Sequence, residues 1–223
     1  MKTKKTWMLA AILFCCLTSA QAQYYNTRHE LGLAIGSGSN TEIINSFADL
    51  YSVAVSAAVT NSITGGTITG YYTYGEEKYI PTISVEYYYH VNKLIGLGGF
   101  LAFNGLKRDM YVNWKSNSTG AISKEKTGEA TRYNYTIMPT AKFDWLRKKH
   151  VGLYSKAGVG LTFMNERQED DAKDGTKFSK TDANLNFHLT FIGFEGGSEN
   201  WRGFAELGFG EQGIILAGLK YKF

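Results

Sequence analysis

The chain has 223 residues and a formal net charge of +4, with 15 Tyr, 13 Phe and 25 Gly against only 2 Pro and 2 Cys. Both cysteines, Cys15 and Cys16, fall in an apolar N-terminal run, so the remainder cannot form a disulfide. Three lysines and no acid share that leader, so its loss takes +4 to +1 and the basic charge excludes no class and implies no nucleic acid.

Residues 1–22 read as a signal peptide. Lys2, Lys4 and Lys5 form the positive region, Trp7–Leu17 the apolar region, and Ala20-Gln21-Ala22 a small-residue cleavage site. Phe14 and Cys15 stand where a lipidation box wants small residues, which argues against a lipoprotein. The domain reading is therefore a leader over 1–22 and one domain over 23–223, an exported chain without a stretch long enough for a spanning helix.

From Glu30 onward the dominant signal is alternation, the mark of strands whose two faces meet different surroundings. Glu30–Gly36 sets Leu31, Leu33 and Ile35 against Glu30, Gly32 and Ala34. Across Thr41–Val59 the period changes: Ile43, Ile44, Phe47, Leu50, Tyr51, Ala54, Val55 and Ala58 recur at helical spacing, with Asn40 or Thr41 as cap. This predicts an amphipathic helix on or over one mouth of the fold. Tyr51, Val53, Val55 and Ala57 also alternate, so a strand pair is the competing reading.

Strands resume at Thr82–Val91, with Ile83, Val85, Tyr87, Tyr89 and Val91 opposite Ser84, Glu86, Tyr88 and His90. Ile95–Phe103 follows and is glycine-rich. Arg132–Trp145 is the clearest: Tyr133, Tyr135, Ile137, Pro139, Ala141, Phe143 and Trp145 oppose Arg132, Asn134, Thr136, Met138, Thr140, Lys142 and Asp144. Aromatics flank smaller apolar groups, as two membrane interfaces require. Pro139 cannot donate to a ladder and predicts a bulge. Val151–Phe163, Asn184–Phe194, Trp201–Phe209 and Gly213–Phe223 alternate likewise, giving about eight strands.

The predicted connections alternate in length. Ser37–Tyr79, Gly105–Thr131 and Asn165–Ala183 are long, whereas Asn92-Lys93, Leu146–His150 and Gly196–Asn200 are short. Membrane barrels have short periplasmic turns and long external loops, which puts both mature termini in the periplasm. With its leader, its aromatic-flanked strands, this loop rhythm and the terminal Tyr221-Lys222-Phe223, the chain resembles the small outer-membrane β-barrel proteins of Gram-negative bacteria, of the OmpA-transmembrane/OmpX type. The expected fold is all-β: an eight-stranded antiparallel up-and-down transmembrane β-barrel with a short amphipathic helix in the first external loop. The resemblance implies an outer-membrane location, outer-membrane lipids as surroundings, and recognition of Tyr221 and Phe223 by the barrel-assembly machinery.

A barrel of this strand number is filled by side chains. The inward set contains Glu30, Glu86, Asp144 and Glu206 with Arg132, Lys142, Lys156, Arg202, Lys220 and Lys222, which predicts a packed ionic lumen. No cofactor or metal is expected. Asp170-Asp171-Ala-Lys-Asp174-Gly175 only faintly suggests a calcium loop, with Thr181 where a bidentate Glu belongs. None of His29, His90, His150 and His188 has a neighbouring Ser and acid that would single out a triad. The expectation is a non-enzymatic protein with a structural or surface-interaction role carried by its external loops, with an external partner that the residues do not specify. A narrow pore for small or apolar solutes and a lipid-modifying enzyme are the alternatives.

Overall fold

A computed structural model describes residues 27–170 and 177–223; the leader over 1–22 and most of the acidic 170–175 loop lie outside the described residues. The described elements are β1 (His29–Ser37), α1 (Asn40–Ile63), β2 (Ile68–Tyr74), β3 (Lys78–His90), β4 (Ile95–Ser116), β5 (Ile122–Arg147), β6 (Val151–Asp170), β7 (Lys177–Gly197), β8 (Trp201–Gly210) and β9 (Ile215–Lys222). The sheet is antiparallel throughout and runs up and down. Eight strands close a ring in the order β1, β3, β4, β5, β6, β7, β8, β9, with β9 returning to β1. That seam runs in unbroken register from Glu30 opposite Lys222 to Ser37 opposite Ile215. Ring closure leaves the lower strands without an open edge, which satisfies every ladder internally.

The faces separate cleanly. Leu31, Leu33 and Ile35 on β1 are about half exposed, while Glu30, Ala34 and their even-numbered neighbours are buried. β3, β5 and β8 repeat the alternation. The largest fully buried side chains include Tyr88, Tyr154, Lys142, Lys156, Lys220, Lys222, His90 and Glu30. The core of this fold is therefore largely polar, with two small apolar clusters (Ala34, Phe204 and Leu216; Phe100, Ala102 and Met138), and most of its large apolar residues face outward.

Three expectations need correction. First, the described residues form nine strands: β2 is an extra one, paired to the outer end of β4 from Ile68 opposite Ser116 to Tyr74 opposite Met110. Second, the segments read as long loops over 105–131 and 165–183 are mostly strand. β4 and β5 continue pairing from Ile95 opposite Phe143 to Lys115 opposite Ile122. In water such ladders need no apolar face, so the alternation that marks their lower halves fades. Cross-strand charges replace it, as in Lys107–Glu129 at 2.6 Å and Lys126–Asp109 at 2.9 Å. Third, Pro139 produces no bulge. The β5–β6 register is the same before it (Ile137 opposite Leu161) and after it (Thr140 opposite Gly158). Glycines absorb the defect: a Cβ on Gly160 would lie 2.3 Å from the Ile137 carbonyl oxygen, and one on Gly158 2.6 Å from that of Pro139. The register shifts lie elsewhere, at Ile80/Ile83, Met110/Tyr111, Asp144/Leu146, Tyr154/Lys156 and Thr190/Ile192.

The helical period wins over the strand alternative, and α1 extends to Ile63. Its cap is Ser39, one residue before the expected pair. Ser39 Oγ accepts from the Glu42 amide at 3.2 Å while Glu42 Oε2 accepts from the Ser39 amide at 3.1 Å, a reciprocal capping box. The helix does not lie flat. Its start is held at the level of Asn104, whose amide donates to Ser39 Oγ. Its end meets the β4–β5 hairpin tip, where Asn117 Nδ2 donates to Asn61 Oδ1 and the Gly66 carbonyl. Between those levels β4 advances about 40 Å, close to the ~36 Å length of the helix, so α1 rises toward the hairpin tip, packed along β2.

Candidate functional site

Three regions carry the chemistry: the lumen, the outer mouth and the standing wall of outer strands. In the lower lumen Lys142 Nζ lies 2.6 Å from Glu30, 3.4 Å from Asp144 and 3.6 Å from Glu195. Lys222 contacts Glu30 at 2.9 Å and also Glu195, and Lys220 reaches Glu195 at 3.3 Å. His90 is set between Glu30 Oε1 at 2.8 Å and Asp144 Oδ2 at 3.2 Å. Arg202 closes the bottom, donating to Glu195 at 2.9 Å and to the carbonyls of Lys148 and Lys149. Arg147 donates to the Thr27 carbonyl at 2.6 Å. Carboxylates shielded from water are tolerable only with this density of donors.

One layer higher, Lys156 bridges Glu86 and Glu206, both at 2.8 Å, and also donates to Gln212 Oε1. Tyr154 donates to Glu206 at 2.7 Å and accepts from Lys220 at 3.2 Å. Thr190 donates to Glu206 at 2.7 Å, and its hydroxyl lies 3.0 Å from His188 Nε2. This file of imidazole, hydroxyl and carboxylate is wholly buried, and the carboxylate is already engaged by Lys156 and Tyr154. It fits a packed interior better than a nucleophile awaiting substrate.

The outer mouth is closed by α1. Glu211, in the β8–β9 turn, accepts from the Thr41 amide at 3.1 Å and from Thr41 Oγ1 at 2.7 Å. Asn186 and Thr136 also donate to it, and Asn40 donates to Asn186 at 2.7 Å. A carboxylate at the first turn of a helix meets free backbone N–H groups and the positive dipole end. That accounts for a buried acid held by neutral donors.

Glu30, Glu86, Lys142, Asp144, Lys156, Arg202, Glu206 and Lys220, with Lys222, are all buried inside the ring. Arg132 is not. It stands above the mouth, paired with Glu166 of β6 at 2.7 Å, because β5 continues upward past the closed ring. Glu195, Arg147, Glu211 and Gln212 escaped sequence reading. Glu195 and Arg147 lie beyond the register shifts at Thr190/Ile192 and Asp144/Leu146, where a strict period of two assigns the wrong face. Glu211 and Gln212 sit in a turn that folds inward, and Arg147, expected in the short Leu146–His150 connection, is buried at the end of β5. Among the described residues no group of three or more His, Cys, Asp or Glu is arranged to hold a metal.

The outer surface carries two aromatic belts. Near the termini His29 stacks on Phe223 at 5.2 Å, Trp201 contacts Tyr221 at 4.9 Å and Phe143 contacts Trp145 at 4.9 Å. Near the mouth Phe103 touches Tyr135 at 5.2 Å and Phe187 touches Phe209 at 5.7 Å. Exposed Leu, Ile and Val fill the band between them. A closed ring with a polar filling, an apolar band and two aromatic belts decides the fold. It is that of a closed antiparallel β-barrel with a membrane-type surface.

No protein-family model and no curated protein matches the chain. In structure it is similar to Ail, the attachment invasion locus protein of Yersinia pestis, solved in complex with the heparin analogue sucrose octasulfate. That similarity covers 88% of this chain and 99% of the other at 12% identity, with a TM-score of 0.40.

Above the mouth only part of the ring continues. β8, β9 and β1 stop there, whereas β4, β5, β6 and β7 run on, with β2 added at the edge. The resulting curved wall holds a cleft of about 420 Å³ lined by Tyr72, Tyr74, Met110, Val112, Gln168 and Phe178. Arg108 lies 3.5 Å over the Tyr74 ring and 3.1 Å from Glu77.

Proposed function

We propose that the protein is an integral, non-enzymatic outer-membrane barrel with both mature termini in the periplasm. The standing wall of β2 and β4–β7 and its helix carry a surface-interaction role. The observation that carries this reading is the unequal height of the strands. A barrel needs about 9–11 residues per strand to cross a bilayer; β8 and β9 have 10 and 8, while β4 to β7 have 20 to 26. The surplus is organised, cross-braced by ion pairs and lined by an aromatic cleft, which suits recognition on a rigid scaffold. Outer-membrane lipids surround the apolar band, and Tyr221 with Phe223 is the signal for the barrel-assembly machinery. The ionic lumen is structural, and its layered salt bridges, with the first turn of α1 set in the mouth, favour this reading over a solute path.

The test is migration on SDS gels. A closed ladder exposes no edge for unzipping, so the unheated protein from outer-membrane fractions runs faster than the boiled one. Protease added to intact cells trims the wall and leaves a heat-modifiable remnant. Recovery in the soluble periplasm without a heat shift defeats the membrane assignment. Single-channel conductance in planar bilayers would revive the pore, and altered lipids in a strain lacking the protein, read by mass spectrometry, the enzyme.

A further inference from the structure

α1 is amphipathic in the reverse sense. The side turned toward β2 carries Ser52, Val53, Ser56, Ala57 and Thr60, half-buried and mostly small or hydroxylated. On the other side Leu50, Tyr51, Val55, Val59 and Ile63 are 69, 72, 41, 51 and 80% exposed. Ala54 and Ala58 lie exposed between them, and no Asp, Glu, Lys or Arg occurs from Leu50 to Ile63. A helix that turns its polar side inward and its apolar side outward is stable only if something covers the outward side. The bilayer does not cover it: α1 climbs from the mouth to the hairpin tip instead of lying in the interface. On the outer-membrane reading, on which this inference rests, the stripe stands in water.

We propose that the stripe is the contact between two copies of this protein, α1 against α1. An uncharged stripe is self-complementary, because no like charges meet when a surface pairs with its own image across a two-fold axis. Ala54 and Ala58, four residues apart, let two helix backbones approach, and the flanking Leu50, Val55 and Val59 fill the space beside them. Copies held in one membrane share their orientation, so the axis lies along the membrane normal and the helices pack in parallel, equal residues at equal heights. A single helix pair buries less than a stable soluble dimer needs. Confinement to one plane, which keeps the copies concentrated and aligned, supplies the remainder.

Residues 23–223 contain no cysteine, so the contact can be mapped by cross-linking in intact outer membranes. On oxidation with copper–phenanthroline, Ala58→Cys gives a disulfide-linked dimer as the main species, whereas Ser56→Cys, facing β2, stays monomeric. Adding Val55→Lys to Ala58→Cys cuts the dimer at least tenfold. Co-expressed, differently tagged Leu50→Cys and Ile63→Cys chains, with their cysteines about 20 Å apart along the axis, give no mixed dimer. The proposal falls if Ala58→Cys remains monomeric in a chain that still shows its heat shift. It falls equally if Ser56→Cys cross-links as well, if the mixed dimer forms, or if Ala58→Cys is captured by a different protein. Loss of the heat shift in the unsubstituted chain brings down the outer-membrane reading and this contact with it.

Discussion

Lys142 serves three carboxylates, Glu30, Asp144 and Glu195, and no water reaches it. Lys142→Met leaves them short of a cation and should destabilise the barrel by about 3–5 kcal/mol, read from urea midpoints in lipid bilayers. Adding Glu30→Gln removes one of the stranded charges, so the double variant should lose less than the sum of the two single losses. Outside the band, Glu166 offers a pH-dependent test. Burial pushes its carboxyl up, but hydrogen bonds from Arg132 and Gln168 outweigh this and hold it below the ordinary value. Its stabilisation is complete above the unfolded carboxylate pKa of 4.5 and is lost as pH falls through the lowered folded value. Proteolysis of the β6–β7 hairpin should therefore rise in acid, and Glu166→Gln should remove that dependence. Residues such as Glu30 and Lys220 were legible because alternation holds in their strands. Glu195 was not, because the shift at Thr190/Ile192 reverses the faces below it and leaves no mark on local composition.

At the scale of elements, the lower strands are legible nearly to the residue because one of their faces is apolar throughout. The wall is not, because its strands carry no continuous apolar face. The capping box at Ser39 was legible in principle from Ser39 and Glu42, and the helix from its period. The direction of α1 was not, since it depends on side-chain contacts at Asn104 and Asn117. Face reversal gives a direct check. Outward Leu189→Arg should cost about 2–4 kcal/mol near the bilayer midplane. Inward Thr190 is not the permissive site that a merely polar lumen suggests, because its hydroxyl donates to Glu206 and its oxygen meets His188. Thr190→Val leaves Glu206 one donor short and should cost about 1–3 kcal/mol, whereas Thr190→Ser should be nearly silent. Unfolding in bilayers reads all three; an equal, small effect of Leu189→Arg would mean that the outward face does not meet lipid.

At the scale of the whole molecule, Phe223 is both a seam residue and the proposed assembly signal. It stacks on His29 and Tyr221, and its amide donates to the His29 carbonyl at 2.9 Å. Its ring stays half exposed, so deleting it removes no more than about 3 kcal/mol of burial. If recognition is its larger role, deletion should depress outer-membrane yield in cells far more than refolding into detergent. An equal loss in both settings would leave Phe223 as an ordinary interfacial aromatic.

The seam also sets an order in time. Each other strand of the ring except β3 pairs with its chain predecessor, and β3 reaches β1 across one intervening helix and strand. β1 and β9 must meet across nearly the entire sequence, the longest loop the chain can close. Until that happens the fold has two open edges and a half-hydrated ionic interior. β9, the last described strand of the ring, is thus the one that ends the exposed state, and contact order of this kind makes closure the slow event. Any factor that guards the edge of β1 while β9 is still on its way governs how much chain reaches the closed ring before it aggregates.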